Sequence, residues 1–156
     1  MFFVSDALLD QILTDDIPYG DATTALFGIE KIPGIVRCRP KAETTIAGVA
    51  LAERLFARVG LQTTLFHEEG DTVAAGTVIL EGRGPAGAIH AVYKTAQNIL
   101  EYASGIATRT RQMVEEARAG NPLCRVAVTR KHFPGTKTLS LYAAMSGGAV
   151  VHRMGL

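Results

Sequence analysis

The last forty residues of the chain contain no acidic side chain. All 15 Asp and Glu lie at or before Glu116. Residues 1–116 carry 10 Lys and Arg, for a sum of −5; residues 117–156 carry Arg118, Arg125, Arg130, Lys131, Lys137 and Arg153, for +6, so the formal net charge of +1 conceals two oppositely charged halves. An acid-free segment with these cations and two histidines attracts anions. The chain has only two cysteines, Cys38 and Cys124, neither in a CxxC pattern nor at zinc-ligand spacing, and both are read as buried thiols in a reducing compartment. No hydrophobic run approaches membrane-spanning length, and the start Met1-Phe2-Phe3-Val4-Ser5-Asp6 lacks the basic residues of a signal peptide. A cytoplasmic protein with no membrane partner is therefore expected. There is no Lys/Arg-rich helix and no interleaving of bases with aromatics, so nucleic acid is not expected as a partner either. Internal repeats and low-complexity linkers are also lacking.

Thr129-Arg130-Lys131-His132-Phe133-Pro134-Gly135-Thr136-Lys137 stands out, with an echo at Gly147-Gly148-Ala149-Val150-Val151-His152-Arg153. Each basic cluster follows a short β-branched run, Val126-Ala127-Val128 or Val150-Val151, and a helix-like segment from Leu139 to Met145 lies between them. This is the outline of a strand–loop–helix–strand unit. Ligands of open α/β sheets bind outside the carboxyl ends of the strands, and parallel pairing would bring Arg130, Lys131, His152 and Arg153 to one rim. The plain alternatives are a solvated basic surface, or Arg130 and Arg153 paired with acids from the first 116 residues.

Upstream, Ser5 is a candidate cap for a helix carrying Leu8, Leu9, Ile12 and Leu13 on one face. The acidic turn Asp15-Asp16-Ile17-Pro18-Tyr19-Gly20-Asp21 ends it, and is read as a solvated turn rather than a metal site. Gly34–Pro40 alternates as a strand, Gly48–Val59 as a helix stopped by Gly60, and Leu61–Phe66 as a strand. The passage Glu69–Gly76, followed by a strand expected at Thr77–Leu80, is similar to the hairpin of biotinyl and lipoyl carrier domains. No lysine lies between Lys41 and Lys94, which excludes a carrier role. A long helix follows Pro85, with Ile89, Val92, Ala96, Ile99, Leu100, Ala103 and Ala107 in one stripe, resumed by Met113, Val114 and Ala117 and stopped at Gly120-Asn121-Pro122. Gly105 is expected to kink or split it. Lys94 and Asn98 share a face of this helix.

The expected fold class is α/β: an α+β sandwich over residues 1–104, then the first units of an incomplete α/β barrel over 105–156. One strand, one helix and the start of a second strand cannot cover both faces of a parallel sheet, and a complete eight-unit barrel takes roughly 250 residues. Partners that complete the sheet, or a longer parent protein, are expected.

Four ordered motifs carry a family resemblance: Asp15 to Thr24; Ala96-Gln97-Asn98 with Ser104-Gly105-Ile106-Ala107-Thr108; Thr129-Arg130-Lys131 with Pro134-Gly135; and Gly147-Gly148 with His152-Arg153-Met154-Gly155-Leu156. The chain resembles quinolinate phosphoribosyltransferase (nicotinate-nucleotide pyrophosphorylase), and most closely the ModD-type branch encoded with molybdate transport. The resemblance implies a dimer that transfers phosphoribosyl from phosphoribosyl pyrophosphate to quinolinate or a related pyridine acid, giving nicotinate mononucleotide, pyrophosphate and carbon dioxide. By motif it implies that Arg130, His152 and Arg153 bind the pyridine carboxylates. Lys131 becomes a catalytic residue at the junction of the two substrates, with Thr129 on the same loop. Lys94 replaces an arginine that reaches into the neighbouring subunit's site. Magnesium is an implied cofactor whose ligands would lie outside this chain, and the isolated chain is expected to be inactive. A non-catalytic anion-binding or assembly module associated with molybdate transport is the alternative.

Overall fold

Ser5 opens the first helix as its sequence suggests. In the computed structural model, which describes residues 4–17 and 22–151, its Oγ accepts from the Leu8 N–H at 3.2 Å and α1 runs Asp6–Asp16. Leu9 is wholly buried, and Leu8, Ile12 and Leu13 pack against the same core. The elements that follow are α2 (Ala22–Phe27), β1 (Pro33–Cys38), β2 (Thr44–Thr45), α3 (Val49–Arg58), β3 (Gln62–Leu65), β4 (Thr72–Val73), β5 (Leu80–Pro85), α4 (Ala86–Gly120), β6 (Ala127–Val128), α5 (Lys137–Ser146) and β7 (Val150–Val151).

β1, β5 and β3 form an antiparallel sheet with β5 in the middle, in register Cys38↔Leu80 and Leu65↔Leu80. The strand expected at Thr77–Leu80 lies instead at Leu80–Pro85. Its apolar alternation is missing for a steric reason. A Cβ on Gly82 would sit 2.8 Å from the Phe56 ring, and one on Gly84 would sit 2.6 Å from the Leu61 side chain. The strand gives up its own side chains so that Phe56 and Leu61 can lie against its backbone. The passage between Glu69 and Gly76, with its carrier-like spacing, contributes β4, which pairs with β2.

α3 has no side chain of its own to cap it. Glu69 does so from a distance, accepting from the backbone N–H groups of Gly48 at 2.8 Å and Ala50 at 3.0 Å. The core then forms where α3, the sheet and α4 meet, around Phe56, Leu55, Ile46, Leu80, Val92 and Ala96.

α4 is one helix from Ala86 to Gly120, so Gly105 does not split it. The stripe is buried at Val92, Ala96, Ile99, Leu100, Ala103, Ala107 and Val114, whereas Met113, expected on that face, is 47% exposed. Val114 takes the inward position, and its neighbour is rotated about 100° away. Two polar residues on the buried side serve as backbone surrogates. Ser104 Oγ bonds both the N–H and the C=O of Ala47 at 3.1 Å, and Thr108 Oγ1 accepts from the Thr45 N–H at 2.9 Å. Among the described residues, no helix is long and apolar enough to cross a membrane.

β6, α5 and β7 form the expected strand–helix–strand unit. β6 and β7 are parallel, with Ala127 opposite Val150 and Val128 opposite Val151. α5 packs on α4, and the contact is close enough that a Cβ on Gly147 would lie 2.5 Å from the Ala107 carbonyl oxygen. Cys124, expected to be buried, is exposed in the connection after α4, while Cys38 is half-buried in β1. Burial raises the Cys38 thiol to about 11.

Candidate anion-binding site

Because β6 and β7 run parallel, Val128 and Val151 end their strands side by side. The loop from Thr129 to Thr136 leaves β6 at that end and leads into α5. Its backbone is held at both ends. Thr129 Oγ1 accepts from the Lys131 N–H at 3.3 Å, and the Phe133 carbonyl accepts from the Thr136 N–H at 3.1 Å and the Thr136 Oγ1–H at 2.9 Å. Gly135 takes φ +83°, a conformation that side chains other than glycine rarely adopt.

Thr129, Arg130 and Lys131 are exposed on this loop. Among the described residues neither cation forms an ion pair with an acid. By contrast, four arginines of the first half are engaged with acids. Arg37 and Arg83 clasp Glu81 at 2.6 and 2.7 Å, and Arg54 and Arg58 hold Asp6. Arg37, then Arg83, keeps the Glu81 carboxyl below its ordinary range. Among the described residues the ion pairs all lie in the acidic half, leaving an exposed guanidinium and ammonium on the loop. His152 and Arg153 lie outside the described residues.

Lys94 stands on the exposed side of α4. It lies 5.4 Å from the centroid of the Tyr93 ring and donates to Gln97 Oε1 at 3.3 Å. Its contacts are with its own helix, not with the loop. Several other motif residues have structural work. Asp16 accepts from Thr95 Oγ1 at 2.5 Å, tying α1 to α4; Ser104 and Thr108 hold the 45–47 backbone; and Gly147 allows α5 to approach α4.

Two features escaped sequence reasoning. His132 is half-buried, and its Nε2 is buried without a hydrogen-bond partner among the described residues. An open groove of about 620 Å³ runs between β1, the segment after it and α4, with Val36, Cys38, Ile46 and Leu100 among its apolar lining and Arg39, Lys41 and Arg109 among its cations. Only the fold brings those distant segments together, so no local pattern could have announced the groove.

Residues 21–104 match the family profile described as quinolinate phosphoribosyl transferase, N-terminal domain, and residues 106–156 match the C-terminal domain of the same family. The chain belongs to the quinolinate phosphoribosyl transferase family. It is 36% identical to the ModD protein of Pasteurella multocida, named as a pyrophosphorylase, across 100% of this chain and 55% of that one. Identity to the Rhodobacter capsulatus ModD protein is 39% across 100% of this chain and 60% of the relative. A Synechocystis protein named as a carboxylating nicotinate-nucleotide pyrophosphorylase is 36% identical, over 99% of this chain and 52% of the relative. The chain therefore spans little more than half the length of the curated relatives it matches. Among solved structures, the nicotinate-nucleotide pyrophosphorylase of Francisella tularensis superposes with a TM-score of 0.88 at 27% identity, over 99% of this chain and 57% of that one. The fold, and membership of a pentosyltransferase family, are thus those that the motifs imply.

Proposed function

We propose that this chain supplies the acceptor-binding part of a phosphoribosyltransferase. The reaction moves phosphoribosyl from phosphoribosyl pyrophosphate to quinolinate or a related pyridine acid, yielding nicotinate mononucleotide, pyrophosphate and carbon dioxide. The observation that carries this reading is the exposed Arg130–Lys131 pair, unengaged by any acid among the described residues, at the carboxyl end of β6 in a chain of this family. Arg130 would grip a carboxylate through its planar fork, joined by His152 and Arg153 from the end of β7. Lys131 would act as a point charge where the acceptor meets the phosphates. Thr129 positions Lys131 through the bond to its N–H. As pyrophosphate leaves the anomeric carbon, negative charge gathers on the departing group, and a fixed ammonium nearby stabilises it.

Lys94 would act on the partner's site within a homodimer. Its exposed position, its contacts confined to α4, and the exposed Tyr93 beside it support that role. Magnesium does not fit the residues present. The loop offers cations rather than oxygen ligands, and the described residues contain no cluster of three or more metal-binding side chains. The setting of this chemistry is cytoplasmic.

The chain alone is expected to bind quinolinate without turning it over. Incubation with quinolinate and phosphoribosyl pyrophosphate, with and without magnesium chloride, should give no nicotinate mononucleotide. Robust product would show that the remaining length of the relatives is dispensable. Binding of molybdate in place of quinolinate would instead mark a non-catalytic anion-binding module.

A further inference from the structure

The loop after β6 reverses the usual order of burial at one step. Phe133 holds its ring 79% exposed, while its neighbour His132 is tucked in with a buried Nε2 that bonds to nothing among the described residues. Both choices are unfavourable, because an apolar ring remains in water and a polar atom is removed from water without compensation. The anchors described above hold the backbone at the Lys131 N–H and at the Phe133 carbonyl, and residues 131–133 have no regular secondary structure. Arg130 and Lys131 immediately precede the step. An aromatic ring held outward and an idle imidazole nitrogen beside two available cations suit a planar acid, which offers a π-face to one and a carboxylate to the other.

We propose that His132 and Phe133 select the acceptor. On binding, with those backbone bonds kept, the His132 side chain rotates outward and donates from Nε2–H to one carboxylate oxygen of a planar aromatic acid, whose face the Phe133 ring covers. This inference rests on the reading of the loop as an acceptor site, and adds to it the means by which the site prefers a ring. An aliphatic dicarboxylate of equal charge would engage the cations but gain nothing from Phe133.

The chain contains no tryptophan, so Phe133→Trp provides a single indole reporter at the step. Quinolinate should quench its emission at the concentrations at which calorimetry detects binding to the unmodified chain, and succinate should not. Phe133→Ala should bind quinolinate roughly threefold to tenfold more weakly, the scale of an aromatic pair, with succinate affinity unchanged. His132→Phe should melt at a higher temperature, having lost the idle nitrogen, yet bind quinolinate roughly tenfold more weakly. His132→Asn, which keeps a donor, should fall between the two and serves if His132→Phe does not fold. If the unmodified chain binds quinolinate and the Phe133 and His132 variants bind it equally well, this inference is wrong while the acceptor-site reading stands. If the unmodified chain does not bind quinolinate, both fall.

Discussion

Gly147 and Gly105 face the same test with opposite expected signs. Both are small residues at α4, one beside it and one within it. A methyl group on Gly147 would lie 2.5 Å from the Ala107 carbonyl oxygen and 2.6 Å from Thr110 Cβ, both belonging to the rigid body of α4. The backbone at Gly147 has φ −75° and ψ −4°, which alanine adopts freely, so the penalty is steric alone. Relieving it requires α5 to move away from α4, and overpacking of this kind costs about 1–3 kcal/mol. For a chain of this size each kcal/mol lowers the melting temperature by roughly 2–4 °C. A methyl group on Gly105 meets nothing within 4 Å. There alanine removes backbone freedom from the unfolded chain and should stabilise by about 0.5–1 kcal/mol. Urea titrations followed by circular dichroism would measure both. Gly147→Ala as stable as the unmodified chain, or Gly105→Ala less stable, would refute the close packing of α5 on an uninterrupted α4.

Three further outcomes are expected. Glu69→Ala should cost about 1–2 kcal/mol in the same titration, because it strips two backbone donors at the start of α3 of their acceptor. Glu81 is held below its ordinary pKa by Arg37 and Arg83, so its stabilising effect is complete above the unfolded glutamate range and lost as the pH falls through the lowered folded value. Glu81→Gln should accordingly flatten the acid limb of a melting-temperature profile below the ordinary glutamate range. Iodoacetamide at pH 8 should label exposed Cys124 first; Cys38, pushed up to about 11 by burial, should react at a comparable rate only in denaturant, as peptide mass spectrometry would show.

What could be read from the sequence follows from where each signal resides. α1, α3 and α4 announce themselves through apolar residues at helical spacing and through local stops such as Gly60 and Asn121. The βαβ unit is legible because Val126–Val128 and Val150–Val151 bracket one short helix. The position of β5 is not legible because its defining feature is the absence of side chains at Gly82 and Gly84, which makes sense only with Phe56 and Leu61 lying opposite. β2 and β4, two residues each, have no periodicity to detect. Gly105 looked like a break since propensity counts its entropy and not the packing of the stripe on both sides. At the site, residue type marks Arg130 and Lys131 as candidates, while their exposure is a property of the folded loop. The inward turn of His132 is a property of the folded loop and has no local pattern. The groove beside α4 draws on segments more than fifty residues apart.

The proposed function requires the exposed cations on the loop after β6 to hold a pyridine acid. Calorimetric titration of quinolinate into the unmodified chain and into Arg130→Ala, at low and at moderate salt, tests it most directly. One site per chain is expected, weakened by salt, with affinity reduced at least about tenfold in Arg130→Ala through loss of a charge-assisted bond. Equal affinity in the two proteins, or no heat from either, would contradict it.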